Sequence, residues 1–221
     1  MEKLIEKLQK FENKINGISN ETELQSLFEE LAPAFLYGGY IKVRNNYKVY
    51  IKTVEFYFHS EKDNGIHDPI VYHRNGRDLE DTPYFPLMTL HAHNSGFDIT
   101  FESENGKYRA SALIRSYEVI AHDGFYLKWE KINNSKETKS MFKKYADYSY
   151  NTQSTYLYTL LNGFPLGNSN DVEWIDSPRE SKIIPGKIRQ NVFQSKSELE
   201  YKPIKGKRCE RKWSFTRDER I

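Results

Sequence analysis

In the run Lys52-Thr-Val-Glu-Phe-Tyr-Phe-His59 a carboxylate, a phenol and an imidazole occupy alternate positions, with Val54, Phe56 and Phe58 around them. A strand sends successive side chains to opposite faces, so Val54, Phe56 and Phe58 are expected to build a core while Glu55, Tyr57 and His59 are presented on the other side. A carboxylate beside a guanidinium can orient and deprotonate a water molecule, and Arg115, on a later β-rich run, supplies the guanidinium. Tyr57 and His67 offer flat faces for a planar group. Each residue also has a plain structural reading: Glu55 as a strand carboxylate paired with a lysine, Tyr57 as sheet packing, His67 as a loop histidine beside Asp68-Pro69, Arg115 as a salt-bridge partner. The histidines suggest a second chemistry. His91-Ala-His93 puts two imidazoles on one strand face, and with His122 and a carboxylate such as Asp98, Glu102 or Glu55 they could hold a metal ion; two partly exposed histidines on an edge strand are the alternative.

These residues need a scaffold, and the hydrophobic pattern describes one. Leu4, Ile5, Leu8, Phe11 and Ile15 recur at helical steps, as do Leu24, Leu27, Phe28 and Leu31 after Asn20-Glu21-Thr22-Glu23, which has the form of a helix cap. The second helix is expected to end at Pro33, with Gly38-Gly39 turning the chain into extended structure. Three β-rich runs follow, 47–59, 89–101 and 107–120, and an aromatic-rich helical pattern spans 137–162. The expected fold is α+β: a single domain with a curved antiparallel sheet flanked by helices. Its parts are an N-terminal helical segment over 1–38, the α+β body over 39–200 and a basic segment over 201–221.

The 221 residues suffice for one well-packed core. No apolar run reaches the roughly 18 residues of a membrane span and the start lacks a secretory pattern, so a cytoplasmic protein without a membrane partner is expected. Cys209 is the only cysteine, which excludes disulfide frameworks and cysteine zinc clusters. The net charge of +2 hides an asymmetry: residues 179–221 hold 13 Lys and Arg against 6 Asp and Glu, and the remainder 20 against 25. Lys202, Lys205, Lys207, Arg208, Arg211 and Lys212, interleaved with Tyr201, Trp213 and Phe215, suit phosphate contact and base stacking. A solvated tail has the same composition. On either reading residues 202–221 are expected to be dispensable to the fold.

Taken in order, Lys52 to His59, Ile66-His67-Asp68, Arg74-Asn75, Ser95-Gly96-Phe97-Asp98 and Ala112-Leu-Ile-Arg-Ser-Tyr-Glu118 resemble the core of the alkyladenine (methylpurine) DNA glycosylases, over roughly residues 47 to 120. That family carries a V-E-T-E-A-Y-type strand, then a histidine, an R-N dipeptide, an aromatic strand ending in Y-G-M and a hairpin to L-x-R-A-L-E-P. Glu55 falls on the family's catalytic glutamate, Tyr57 on its base-stacking tyrosine, His67 on its pocket histidine with one residue inserted, and Arg115 on the arginine of the L-x-R strand. The spacing from Gly96 to Arg115 matches without a gap. The resemblance implies a DNA-repair hydrolase that flips a modified base out of DNA and excises it without metal or organic cofactor. Glu55 would be the general base and Arg115 the water-positioning or phosphate-contacting group. Tyr57, His67, His93 and Asn94 would form the base pocket, and Ser95, Phe97, Arg74, Lys205, Lys207, Arg208, Arg211 and Lys212 would contact the nucleic acid. Two positions depart from the family: Ser95 stands where it has an intercalating tyrosine and Ala92 where it has a second pocket tyrosine. His93, Asn94 and Phe97 are close enough to substitute. A catalytically silent reader of modified bases, with the DNA single-stranded or duplex, is the alternative the same residues allow.

Overall fold

A computed structural model describes residues 2–18, 20–43, 47–71, 79, 82–93, 96–121, 126–127, 172–198 and 200–218. The helical pattern over 137–162 lies outside them. Helix α1 is Leu4–Ile15 and α2 is Glu21–Tyr37. The strands are β1 Gly39–Val43, β2 Tyr47–Ser60, β3 Leu90–His93, β4 Gly96–Thr100, β5 Tyr108–Ala121, β6 Tyr126–Leu127, β7 Val172–Asp176, β8 Phe193–Ser195, β9 Pro203–Arg208 and β10 Ser214–Thr216. All pairings are antiparallel. The main sheet runs β3-β4-β5-β2-β1-β7, with β10 also on β2 and β6 on β5, and curls strongly into a half-barrel; β8 and β9 form a separate two-stranded ribbon. The fold is α+β in a single domain.

Helix α2 begins as the sequence indicates, with the Asn20 side chain accepting from the Glu23 amide at 3.0 Å. It does not end at Pro33. Pro33 lies inside the helix, which continues for another turn to Tyr37. A proline in a helix interior costs about 3 kcal/mol, but that last turn buries Phe35, Leu36 and Tyr37, at about 1.5–3 kcal/mol for each large apolar side chain. Tertiary burial outweighs the local break. Gly39 then passes so close to β7 that a Cβ would sit 2.2 Å from the Ile175 carbonyl oxygen, so only glycine permits the turn into β1.

The run 89–101 is two strands and not one: β3 pairs with β4 from Leu90 opposite Ile99 to His93 opposite Gly96, so the chain doubles back on itself. Strand β2 is central. Its Val54, Phe56 and Phe58 are buried with Ile99, Phe97, Phe101, Ala112 and Ile114 beneath both helices. Phe28 of α2 stacks between Phe11 of α1 at 5.8 Å and Phe56 at 4.6 Å, fixing the helices to the sheet through ring faces. The C-terminal residues belong to this core. Trp213 and Phe215 are buried, and β10 pairs directly with Thr53 to Glu55, so residues 202–221 are not dispensable to the fold.

The other face of β2 is not presented to solvent. Glu55, Tyr57 and His59 are all buried, beneath a second apolar layer in which Ile70, Val71, Leu79 and Val192 pack on Tyr57 and Leu113. Period-2 spacing separates the two faces of a strand, but it does not reveal whether irregular segments will cover both.

Replacing Phe28 by Ala is expected to lower the unfolding free energy by about 3–5 kcal/mol, whereas Ile5→Ala, at a side chain 43% exposed, should change it by about 0.5 kcal/mol or less. Urea unfolding followed by circular dichroism checks both.

Candidate functional site

Glu55 and Arg115 come from adjacent strands, and the register explains how they meet. Between Ile51 and Val54 the β2–β5 pairing slips twice: Lys52 is skipped on β2 and then Arg115 on β5. Bulges of this kind re-aim side chains and break regular pairing. The unpaired Arg115 brings its Nε to 3.5 Å from Glu55 Oε2. The same oxygen accepts from the Tyr57 hydroxyl at 3.2 Å, and Oε1 accepts from the Gln190 amide at 2.8 Å. Burial, then the nearby Glu55 charge, pushes the Tyr57 phenol well above its ordinary pKa, so it stays protonated and donates.

Over Tyr57 lies a residue the sequence did not single out. Arg189 is fully buried with its guanidinium 4.5 Å from the Tyr57 ring centre and 4.9 Å from that of Trp213. It donates to both oxygens of Asp68, Nη1 at 2.5 Å and Nη2 at 3.3 Å, and also to the Phe56 carbonyl at 3.3 Å. Burial alone would raise the Asp68 pKa; the guanidiniums of Arg189 and Arg211 outweigh it and hold the carboxyl below its ordinary value. A planar group stacked on Tyr57 must therefore displace Arg189. Nothing in the periodicity of residues 179–192 marks Arg189, and Asp68 stood out only as the neighbour of His67.

His67 packs edge-on against His59 with ring centres 5.3 Å apart. The Asp68 amide donates to His59 Nδ1 at 3.2 Å, which fixes the neutral ring with its proton on Nε2. Burial, reinforced by His67, lowers the His59 pKa to about 4. His67 and Asp68 line a cleft of about 630 Å³ together with Tyr201, Cys209 and Arg211; Glu55, Tyr57 and Arg115 do not reach it. The acid and its closest partners are thus gathered, with the histidine pair and the cleft on the other contacts of Asp68.

The remaining sequence candidates divide. Phe97 is buried in the main core on the helix side of β4, so it is not available to a nucleotide. Arg211 is half-buried, paired with Glu21 at 2.6 Å and Asp68 at 3.5 Å, and stacked 4.7 Å from Trp213; it serves the fold and is not a free phosphate contact. Lys205, Lys207 and Arg208 on β9, and Lys212 beyond it, are exposed. Arg74, Asn94 and Ser95, and the His93 side chain, lie outside the described residues. His91 shares the Glu55 face but stands three pairings away, through Asp98 and Leu113, or about 14 Å at roughly 4.8 Å per strand. Its ring packs on Phe85. Glu55 and His91 therefore cannot ligate one ion, and among the described residues no three His, Cys, Asp or Glu side chains assemble a metal site. His122 is not among those residues.

No family model matches this chain, and no curated protein or solved structure does so.

The buried histidine gives stability a specific dependence on pH. His59 titrates lower in the folded chain than its ordinary 6.5, so the unfolded chain binds the extra proton between pH 6.5 and about 4 and stability falls with pH through that window. The loss amounts to at most roughly 3–4 kcal/mol, at roughly 1.4 kcal/mol per pH unit. Asp68 acts lower down: its contribution is complete above the ordinary carboxyl value and disappears as pH falls through its depressed one. Unfolding free energies at pH 7, 5.5 and 4.5 should show the first decline, and His59→Gln should flatten it.

Proposed function

We propose that this protein binds nucleic acid and hydrolyses the N-glycosidic bond of an alkylated or otherwise modified base in DNA, with Glu55 as general base. The observation that carries the reading is the Glu55–Arg115 pair, a buried carboxylate and a guanidinium re-aimed toward it by a bulge, with Tyr57 holding the same carboxylate oxygen. In that reaction a water attacks the anomeric carbon, Glu55 takes its proton, the bond to the base breaks and the base leaves with the bonding pair. Arg115 orients the water or neutralises the neighbouring phosphate. The low dielectric around the buried Glu55 carboxylate strengthens both effects, although Arg115 itself is partly exposed. No metal or organic cofactor enters this scheme.

The exposed Lys205, Lys207 and Arg208, with Lys202 beside them, put four cations within seven residues on and next to the β8–β9 ribbon. They would grip the phosphate backbone irrespective of sequence. A second reading, a silent reader of modified bases, is favoured by one observation: both Glu55 oxygens already have donors and no part of the side chain reaches solvent in this conformation.

Glu55→Gln preserves shape and hydrogen bonding while removing the base. Release of free base from alkylated, deaminated or hypermodified DNA should fall by about a hundred- to ten-thousand-fold, with lesion affinity kept within about threefold. Equal rates for variant and parent would remove Glu55 from the role. A parent that binds such DNA but releases no base is the reader, and a parent that binds none sinks both readings. For the ribbon, replacing Lys205, Lys207 and Arg208 together by Gln should flatten the slope of log affinity against log salt on duplex DNA by about 2 to 3, roughly 0.9 per lost phosphate contact, with the fold intact.

A further inference from the structure

Glu55 is completely buried, yet it lies only one residue below the surface. Gln190, whose amide donates to Glu55 Oε1, is itself exposed, and its side-chain oxygen stands 3.4 Å from Arg115 Nη2. The loop over residues 188–191 therefore covers the acid–guanidinium pair as a single layer of chain, touching both members.

The way this loop is held differs along its length. Immediately before it Lys187 exchanges two backbone hydrogen bonds with Ser214, at 2.7 and 3.0 Å, and Gly186 lies so close to the Lys212 carbonyl that a Cβ would stand 2.1 Å from the oxygen. Immediately after it Val192 is buried and its carbonyl accepts from Cys209 at 3.0 Å. Between these two fixed points Ile188 is 42% exposed, Gln190 and Asn191 are exposed, and Asn191 takes a positive φ of 60°. The buried anchor inside the loop is Arg189, and that anchor is ionic: the bidentate contact to Asp68. An apolar anchor can only be lost by exposing hydrocarbon to water. An ion pair can be exchanged for other charges, including the phosphates of a polyanion.

We propose that residues 188–191 are a lid over Glu55 and Arg115, hinged at Gly186–Lys187 and Val192 and latched by the Asp68–Arg189 pair, and that it opens as a unit while the sheet stays folded. The proposal rests on the reading that Glu55 is the working group, since the lid's purpose is to admit substrate to it. Opening replaces the Gln190 amide on Glu55 with solvent or substrate and frees the ring face of Tyr57 that Arg189 covers. It is thus one movement that uncovers both the base and the stacking surface.

Native-state hydrogen exchange resolved at single amides tests this without nucleic acid, so the lid and the glycosylase reading can fail independently. The probes are the Gln190 amide, bonded to Glu55, and the Phe56 amide, bonded to the Trp213 carbonyl. Gln190 should exchange on the order of a hundredfold faster than Phe56, with little dependence on added denaturant, as a local opening does. Asp68→Asn should accelerate Gln190 about tenfold or more and leave Phe56 unchanged, while Arg211→Gln, which removes a 3.5 Å contact to Asp68 together with the Glu21 pair and the Trp213 stacking but leaves the Asp68–Arg189 contact in place, should have a smaller effect on Gln190. Exchange of Gln190 and Phe56 at one rate with one denaturant dependence, in the unaltered protein, overturns the lid whether or not Asp68→Asn folds. An Asp68→Asn protein that folds and leaves Gln190 unaccelerated overturns the latch.

Discussion

Asp68 and Arg189 meet in a buried bidentate ion pair to which four parts of the molecule are tied: the loop after β2 through Asp68, the strand β2 through the Phe56 carbonyl and the Tyr57 ring, the C-terminal segment through Trp213, and the cover of the acid through the backbone of Arg189 itself. Desolvating two charges is expensive, and the pair is retained only because its hydrogen bonds and ring faces compensate. Two apolar residues could supply packing but not this convergence, because hydrocarbon has no direction. A guanidinium has five donors in a plane and two faces, and in this protein both kinds of contact are used.

That pair also explains why a strand with a polar face can be central in the sheet. Glu55, Tyr57 and His59 each receive or give a specific hydrogen bond: Glu55 from Gln190, Tyr57 to Glu55, His59 from the Asp68 amide. The segments supplying these partners are irregular, and the ion pair fixes one against another. Without it the polar face would need water, and the second apolar layer on Tyr57 and Leu113 would have no reason to close.

Much of the scaffold was legible in the sequence because it obeys local periodicity. Both helices, their faces, the cap at Asn20 and the β-rich runs of β2 and β5 follow from spacing alone, as does the sharing of one strand face by Glu55, Tyr57 and His59. What periodicity could not carry depends on distant contacts. Pro33 stays helical because the turn beyond it is buried, Phe97 faces the core because of where β4 joins the sheet, and Arg211 is engaged by Glu21, 190 positions away. The proximity of Glu55 and Arg115 was expected, but the bulge that produces it was not. A skipped residue is invisible until the partner strand is known. Arg189 and Gln190 left no signal at all, since a loop that works by position needs neither repeat nor amphipathic pattern.

Strand β2 carries two neighbours on one edge: β1 near its start and β10 opposite Thr53 to Glu55. The first arrives at once, being joined to it in sequence. The second does not exist until 163 residues after Thr53 have been polymerised, when Thr216 can reach the Thr53 hydroxyl. On a ribosome adding about 5–20 residues per second, the carboxylate strand therefore waits for many seconds with part of one edge open. Helices α1 and α2, made first, can shield the aromatic side of β2 during that interval, but the opposite side acquires Arg189 and Val192 only late in synthesis. The Glu55 face is thus completed late, and a nascent chain carries the carboxylate long before it carries the Gln190 amide that covers it.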